Sequence, residues 1–313
     1  MLQGRRGHAR AVVLTVVDEE LNAVLEEFST ASELRGHGCW TTGMVDDVHP
    51  VLVAQSSDRS NMPSAESVHD LVEDWRPEFV VLVGIAGGIV RLREDSESVS
   101  GPNAGDVVCV EYVHYGEYTK NVNGERQMRY FPVQHPSTEL IKRHVRPLAR
   151  EGWHHDLPTT RPSDTPQETP SDRAPGSGGS APILRFGELV SVEFLAGDAT
   201  VAQQRDVFGQ YDHALAVDME SAGVARAMHV ASSDVHYRPT WLCIRGISDR
   251  TAATLEAQAA LGAENDTERV QWRPYASAAA ARVARLVVER LLESARPPQD
   301  ADPGAPSWSL AGA

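Results

Sequence analysis

The stretch "AVVLTVVDEELNAVLEEF", residues 11–28, decides the fold class. It opens with a continuous apolar, largely β-branched run, as expected of a strand covered on both faces. Asp18 follows where it can cap a helix, and Leu21, Val24, Leu25 and Phe28 then fall at i, i+3, i+4 and i+7, an apolar stripe at helical period. A buried strand that passes straight into an amphipathic helix is the unit of an α/β protein built on a largely parallel sheet. The alternation continues outward. Strands are predicted at "VHPVLVAQ" (48–55), "FVVLVGIAGGIV" (79–90, running into a glycine turn), "GDVVCVEYVHY" (105–115), "LRFGELVSVEFLAG" (184–197, one strand or two) and "TWLCIRGISD" (240–249). Helices are predicted at 65–75, stopped by Pro77, at 136–153, and at 275–294 with Val283, Leu286, Val287 and Leu291 on one face.

One strand-to-helix junction is chemically unusual. In "LAVDMESAGVARA" (215–227) an apolar strand ends in two carboxylates, Asp218 and Glu220, before a run of small helical residues. A charge at the mouth of a buried strand is costly unless something binds it. The segment "PTTRPSDTPQETPSDRAPGSGGSAP" (158–182) has the opposite character, with no large apolar residue and much Pro, Ser, Thr and Gly. Such a composition cannot bury enough surface to order itself. It is read as a disordered insertion in a single domain spanning 10–295, with 296–313 a flexible tail; a linker between two domains is the alternative.

Bulk properties exclude several classes of function. Lys and Arg number 29 against 44 Asp and Glu, a formal charge of −15, which argues against general adhesion to nucleic acid or anionic membranes. A small anionic ligand is still allowed, because it meets only its own pocket. No apolar run approaches a membrane span, and "MLQGRRGHAR" has no apolar signal core behind its arginines, so a soluble, cytoplasmic protein is expected. Cys39, Cys109 and Cys243 are isolated and odd in number, and His114, His135, His154 and His155 lack metal-ligand spacing. "GIAGGI" (84–89) is neither a GxGxxG fingerprint nor a Walker loop. No metal or cofactor is expected, and Trp and Tyr are too sparse for an RNA-stacking platform.

"VVDEELNAVLEEF", "VGIAGGI", "GDVVCVEYVHY", "AGDATV", "AVDMESAGVA" and "IRGISD" occur in an order and spacing that resembles the nucleoside phosphorylase superfamily, most closely the nucleosidases that cleave methylthioadenosine and S-adenosylhomocysteine. The resemblance implies a three-layer α/β fold, its central, mostly parallel and partly barrel-like sheet flanked by helices. It implies hydrolysis of the N-glycosidic bond of an adenosine-type nucleoside with release of adenine, by a homodimer or higher homo-oligomer. Breaking that bond builds positive charge on the ribose and negative charge on the purine. The reaction therefore needs anions by the sugar, a donor by the base and a positioned water.

By resemblance, Glu20 activates the water, Glu220 accepts the ribose hydroxyls, Met219 packs on the sugar, and Asp249 donates to purine N7. Arg245 is implied to hold the water or the acidic pair; Ala86, Gly87, Ser248 and Thr200 are implied as further substrate contacts. Each has a plainer reading: Glu20 and Glu220 as helix-start charges, Met219 as core packing, Asp249 as a turn residue. Asp218 and Ile85 replace the family's usual glutamate and serine. Phosphorylases of the superfamily carry a Gly-Asp-Pro…Arg loop after the first strand and an arginine before the glycine turn. Here "VVDEELNAV" and Val83 stand there, leaving phosphate without its clamp, so water is the favoured nucleophile over phosphate. Lys120, Arg126 and Arg129 in "YGEYTKNVNGERQMRYFP" (115–132) are candidate contacts for a 5′-phosphate. They would suit AMP or ATP, as in nucleotide-depleting defence effectors, or simply decorate a solvated hairpin. A catalytically silent nucleoside sensor is a further alternative.

Overall fold

A computed structural model describes residues 9–35, 39–44, 50–94, 98–162, 181–262 and 265–294. Strand β1 (Ala11–Thr15) is buried along its whole length, and its side chains alternate between two cores. Ala11 and Val13 face a cluster shared with helices α1 (Asp18–Glu27) and α7 (Asn265–Ser294). Val12 and Leu14 face a second cluster built with α2 (Asn61–Trp75) and α5 (Ser221–Ala231). Strand β5 (Phe79–Leu92) repeats the division, with Val81 and Val83 on the first side and Val80 and Leu82 on the second. The two-residue period of a strand thus makes three layers, helices on either face of one sheet.

Along the sheet the order is β11 (Ala214–Asp218), β10 (Leu184–Ser191), β7 (Val107–Tyr115), β12 (Thr240–Ala252), β5, β1, β4 (Pro50–Gln55), β3 (Cys39–Met44) and β2 (Ser29–Arg35), with β6 (Val99–Ser100) on β5. The ladders β1–β4, β1–β5, β5–β12, β7–β10 and β10–β11 are parallel. Antiparallel pairs of β12 with β7, and of Ala216 and Val217 on β11 with Gly88 and Gly87 on β5, close five strands into a partial barrel. β7 pairs directly with β10, so the chain on either side of 158–182 enters one sheet. Within that segment residues 163–180, like the tail 296–313, lie outside the described residues.

Several local expectations change. The glycines of "GIAGGI" make no turn: β5 runs through them to Leu92, and Gly87 and Gly88 sit between two strand partners. Asp18 does not cap α1; Val17 is the N-cap residue, and Asp18 accepts from the Gln55 side chain (2.9 Å). The helix predicted at 136–153 is broken into α3 (Thr138–Leu140), a π turn (Ile141–Val145) and a 3₁₀ turn (Arg146–Arg150). Pro147 lacks the N–H that an α ladder needs there. The last helix begins ten residues early, at Asn265, and carries Pro274 within it. It packs hard on β12: a Cβ on Gly246 would lie 2.0 Å from the Ala276 carbonyl oxygen. The remaining elements are the two-stranded hairpin β8 (Thr119–Val122) and β9 (Glu125–Met128), and helices α4 (Ala202–Gln210) and α6 (Leu255–Leu261). No helix among the described residues is long and apolar enough to cross a membrane.

Candidate active site

The ends of β1 and β11, the middle of β5 and the bulged part of β12 converge on a cavity of about 210 Å³. Its lining includes Glu20, Ala86, Gly87, Met219, Glu220, Ser248 and Asp249. Among the described residues no side chain hydrogen-bonds to the Glu20 carboxylate. Its Oε2 accepts from the Val16 and Val17 N–H groups (2.8 and 3.1 Å) and its Oε1 from the Ile85 N–H (2.8 Å). A carboxylate has about four acceptor positions. Three are filled by backbone, and one is left for a molecule in the cavity. Because Ile85 acts through its N–H, the contact survives whatever side chain stands there. Burial raises the Glu20 pKa, against the pull of Arg245 and of the three N–H donors.

Asp218, whose role the sequence leaves open, lies one strand away. Its Oδ2 accepts from Arg245 Nη2 (2.5 Å) and from the Ser221 hydroxyl, and its Oδ1 from the backbone N–H groups of Glu220 and Ser221 (3.3 and 3.2 Å). It therefore anchors the start of α5 and the guanidinium together. Glu220 follows, with Oε2 at 3.4 Å from Arg245 Nη2 and Oε1 accepting from the Ser60 N–H at 3.4 Å. Burial pushes the Glu220 pKa up to about 7, opposed by Arg245 and reinforced by the neighbouring charges of Asp218 and Glu20.

Arg245 is fully buried behind these groups and does not line the cavity. Burial opposes its charge, but Asp218, Glu220 and Glu20 outweigh that and hold its pKa above the ordinary guanidinium value. Three buried carboxylates thus share one cation. The cluster closes over Gly84, where an added Cβ would lie 2.4 Å from both Arg245 Nη1 and Glu20 Oε1. Gly84→Ala is expected to cost about 1–3 kcal/mol by overpacking. Denaturant unfolding checks this, and an unchanged midpoint would mean that the cluster shifts freely.

Also lining the cavity is the part of β12 that carries a bulge between Ile247 and Asp249 relative to β5. Bulges redirect side chains beside functional sites. Here the Ser248 hydroxyl donates to Asp249 Oδ1 (2.5 Å), and the Asn265 amide donates to Asp249 Oδ2 (2.6 Å). Burial pushes the Asp249 pKa up to about 6, while Ser248, Asn265 and Arg269 draw it down.

Not every candidate residue reaches this cavity. Thr200 is exposed, with its hydroxyl and its N–H both donating to Asp198. Lys120, Arg126 and Arg129 also lie outside the lining, on or next to the β8–β9 hairpin. Arg126 braces that hairpin through Thr119, the Gly116 carbonyl and Glu117, Arg129 lies over the Tyr118 ring, and Lys120 is exposed. None of these four lines the cavity, and Arg126 and Arg129 face their own loop instead. The lining instead includes residues without any local signal, among them Arg59, Phe194, Leu195, Arg269 and Arg273. Asn265, too, fell in a stretch that had no predicted element.

Solved structures share this architecture. A 5′-methylthioadenosine/S-adenosylhomocysteine nucleosidase from Neisseria meningitidis, in complex with methylthio-immucillin-A, is similar with a TM-score of 0.61 at 17% identity, over 90% of this chain and 99% of that one. An S-adenosylhomocysteine nucleosidase from Streptococcus pyogenes gives 0.63 at 17% identity, over 92% and 99%. A futalosine hydrolase of Helicobacter pylori gives 0.61 at 15% identity, over 90% and 98%. No curated protein matches the sequence. Residues 10–292 match the sequence profile of the phosphorylase superfamily, and with its carboxylates gathered at the strand ends of a partly closed α/β sheet the chain belongs to that superfamily.

Proposed function

We propose that this chain hydrolyses the N-glycosidic bond of an adenosine-type nucleoside and releases adenine. It would act from one domain spanning 10–295, with 158–182 inserted in it. The observation that carries the proposal is that two unlike acidic groups line one cavity. In one, Glu20, Asp218 and Glu220 share the single buried charge of Arg245. The other is Asp249, with its pKa raised to about 6. The likeness to nucleosidases and to a futalosine hydrolase supports the same reaction class.

The residues divide the chemistry as follows. Glu20, fixed by three N–H donors, takes a proton from a water held at its remaining acceptor position. The water oxygen bonds to the anomeric carbon as the bond to the purine breaks. Glu220 accepts the ribose hydroxyls, and with Asp218 behind it supplies negative field beside the cationic sugar. Asp249 passes its proton to the departing base and regains one from solvent. Val83 is packed in the core, so no cation reaches the nucleophile from that position.

The direct test is adenine release from adenosine, methylthioadenosine and S-adenosylhomocysteine in phosphate-free buffer, followed by chromatography. Adenine with free ribose or thioribose is expected. Release that appears only after phosphate is added, as a sugar 1-phosphate, would replace hydrolysis with phosphorolysis. The proton on Asp249 makes a second prediction. Being an acid that must start protonated, it should make kcat/KM fall as pH rises through about 6, approaching tenfold per unit. Asp249→Asn should remove that alkaline limb, while the acid limb set by Glu20 remains. A limb that survives in the Asn variant would assign it to another group.

A further inference from the structure

Three arginines line the cavity of a protein whose formal charge is −15. They are not the counter-ions of its carboxylate cluster, because Arg245 fills that role from behind the wall. Arg59, in the loop between β4 and α2, has no side-chain partner among the described residues. Arg269 and Arg273 are four residues apart on α7 and so share a face. Each spends only one nitrogen on an ion pair at the surface. Arg269 Nη2 meets the exposed Asp266 at 2.7 Å, and Arg273 Nη2 meets Glu19 at 2.9 Å. Surface pairs of this kind contribute about 0–1 kcal/mol and commit neither side chain. Among the described residues Arg269 Nη1 and Arg273 Nε are buried without an acceptor, as are Arg245 Nε and Nη1. A buried guanidinium donor left unmade is costly, so Arg269 and Arg273 keep N–H groups free to give to a ligand in the cavity that they line.

The placement of these arginines says where that ligand belongs. Arg59 precedes Ser60, whose N–H meets Glu220, and Arg273 holds Glu19, the neighbour of Glu20. Both therefore flank the end of the cavity assigned to the ribose and its water, and Arg269 stands one turn back along α7, where its charge also reaches Asp249. Among the described residues the lining has no further cation. A neutral thioether in that position would give nothing to Arg59 or to the unpaired nitrogens of Arg269 and Arg273. A phosphate would give their planar N–H donors the oxygens that they lack.

We infer that Arg59, Arg269 and Arg273 form the receptor for a phosphate carried on the 5′ carbon, so that the preferred substrate is an adenine 5′-nucleotide rather than a neutral nucleoside. The inference rests on the N-glycosidic hydrolysis proposed above. It keeps the ligand chemistry that the hairpin cations suggested and moves it to residues far apart in sequence.

The test is adenine release by the full-length protein from AMP, ADP and ATP beside adenosine and methylthioadenosine, each with and without inorganic phosphate. It is repeated with Arg59→Gln, Arg269→Gln and Arg273→Gln. A higher kcat/KM for nucleotides is expected. Each substitution should lower the ratio of kcat/KM for AMP over adenosine by about 10–100-fold, mostly through KM, as for loss of one or two charge-assisted hydrogen bonds. Equal turnover of AMP and adenosine, unmoved by the three substitutions, would overturn the receptor and leave the hydrolase standing. Turnover that requires inorganic phosphate, with the substitutions raising the KM for phosphate, would also overturn it, by assigning the arginines to a co-substrate. If no compound releases adenine, the hydrolase reading fails by itself. Calorimetry with AMP and adenosine then decides the receptor: tighter AMP binding that is lost in Arg273→Gln supports it, and equal affinity ends it.

Discussion

Glu20→Gln is expected to lower kcat for adenine release by about 10²–10⁴-fold, the usual loss when a positioned base is removed. Glutamine keeps the size of the side chain but cannot take the proton of the water. It also replaces one of two accepting oxygens with an N–H₂ group. Since Oε1 faces the Ile85 N–H and Oε2 faces those of Val16 and Val17, one end must then set donor against donor. A stability loss of about 1–3 kcal/mol would follow from that mismatch, partly offset because a buried charge is removed. Circular dichroism and retained nucleoside binding separate a folded, inactive variant from a collapsed one. Glu20→Asp is the useful companion, keeping the charge while withdrawing it from the water by one methylene. Near-wild-type turnover in Glu20→Gln would reject Glu20 as the base and, with it, the assignment of the water to this wall.

Arg245→Met should be the most destabilising single change in the site, costing about 3–5 kcal/mol, because it strips the counter-ion from a buried charge cluster. Asp218 loses a 2.5 Å partner, Glu220 loses one at 3.4 Å, and Glu20 loses the field that opposes its desolvation. The sign with pH follows from the direction of the shifts. Without Arg245 the folded-state pKa values of Glu20 and Glu220 rise further above their unfolded value of 4.5. A folded state that holds protons more tightly than the unfolded one loses stability as pH rises. The gap between variant and wild type should therefore widen from pH 5 to pH 8 in denaturant unfolding. Adding Asp218→Asn to Arg245→Met should recover part of the loss by removing an unpaired charge. A loss independent of pH would show that packing of the arginine, rather than its charge, holds this wall together.

The sequence was most informative where burial and hydrogen bonding are local. β1 is a run of apolar residues with helices on both faces, and that double burial is what its composition records. The junction of β11 and α5 put Asp218 and Glu220 side by side, and the order of short motifs placed Glu20 and Asp249 at strand ends. Elements failed where a short-range signal was weak or misleading. The first turns of α7 are polar and contain Pro274, which reads as a helix stopper, yet packing on β12 extends the helix back to Asn265. Strands β2 and β3, which pair antiparallel beyond β4, had no marked alternation to announce them.

By itself, then, the sequence determined the alternation of strand and helix and the acidic residues beside the strands, because each depends on neighbours within one or two turns of chain. The superfamily was legible only as a resemblance carried by motifs spread along the whole chain. Only the tertiary structure decided what those residues do to one another. It set Asp218 as the anchor of Arg245, used a strand bulge to join Ser248 to Asp249, and left one acceptor position on Glu20. It also separated the cations that are close in sequence, Lys120, Arg126 and Arg129, from those that share the cavity, Arg59, Arg269 and Arg273. The physical reason is that charge and hydrogen bonding act over a few ångströms of space. Residues that lie about 200 positions apart meet there only after the sheet has closed.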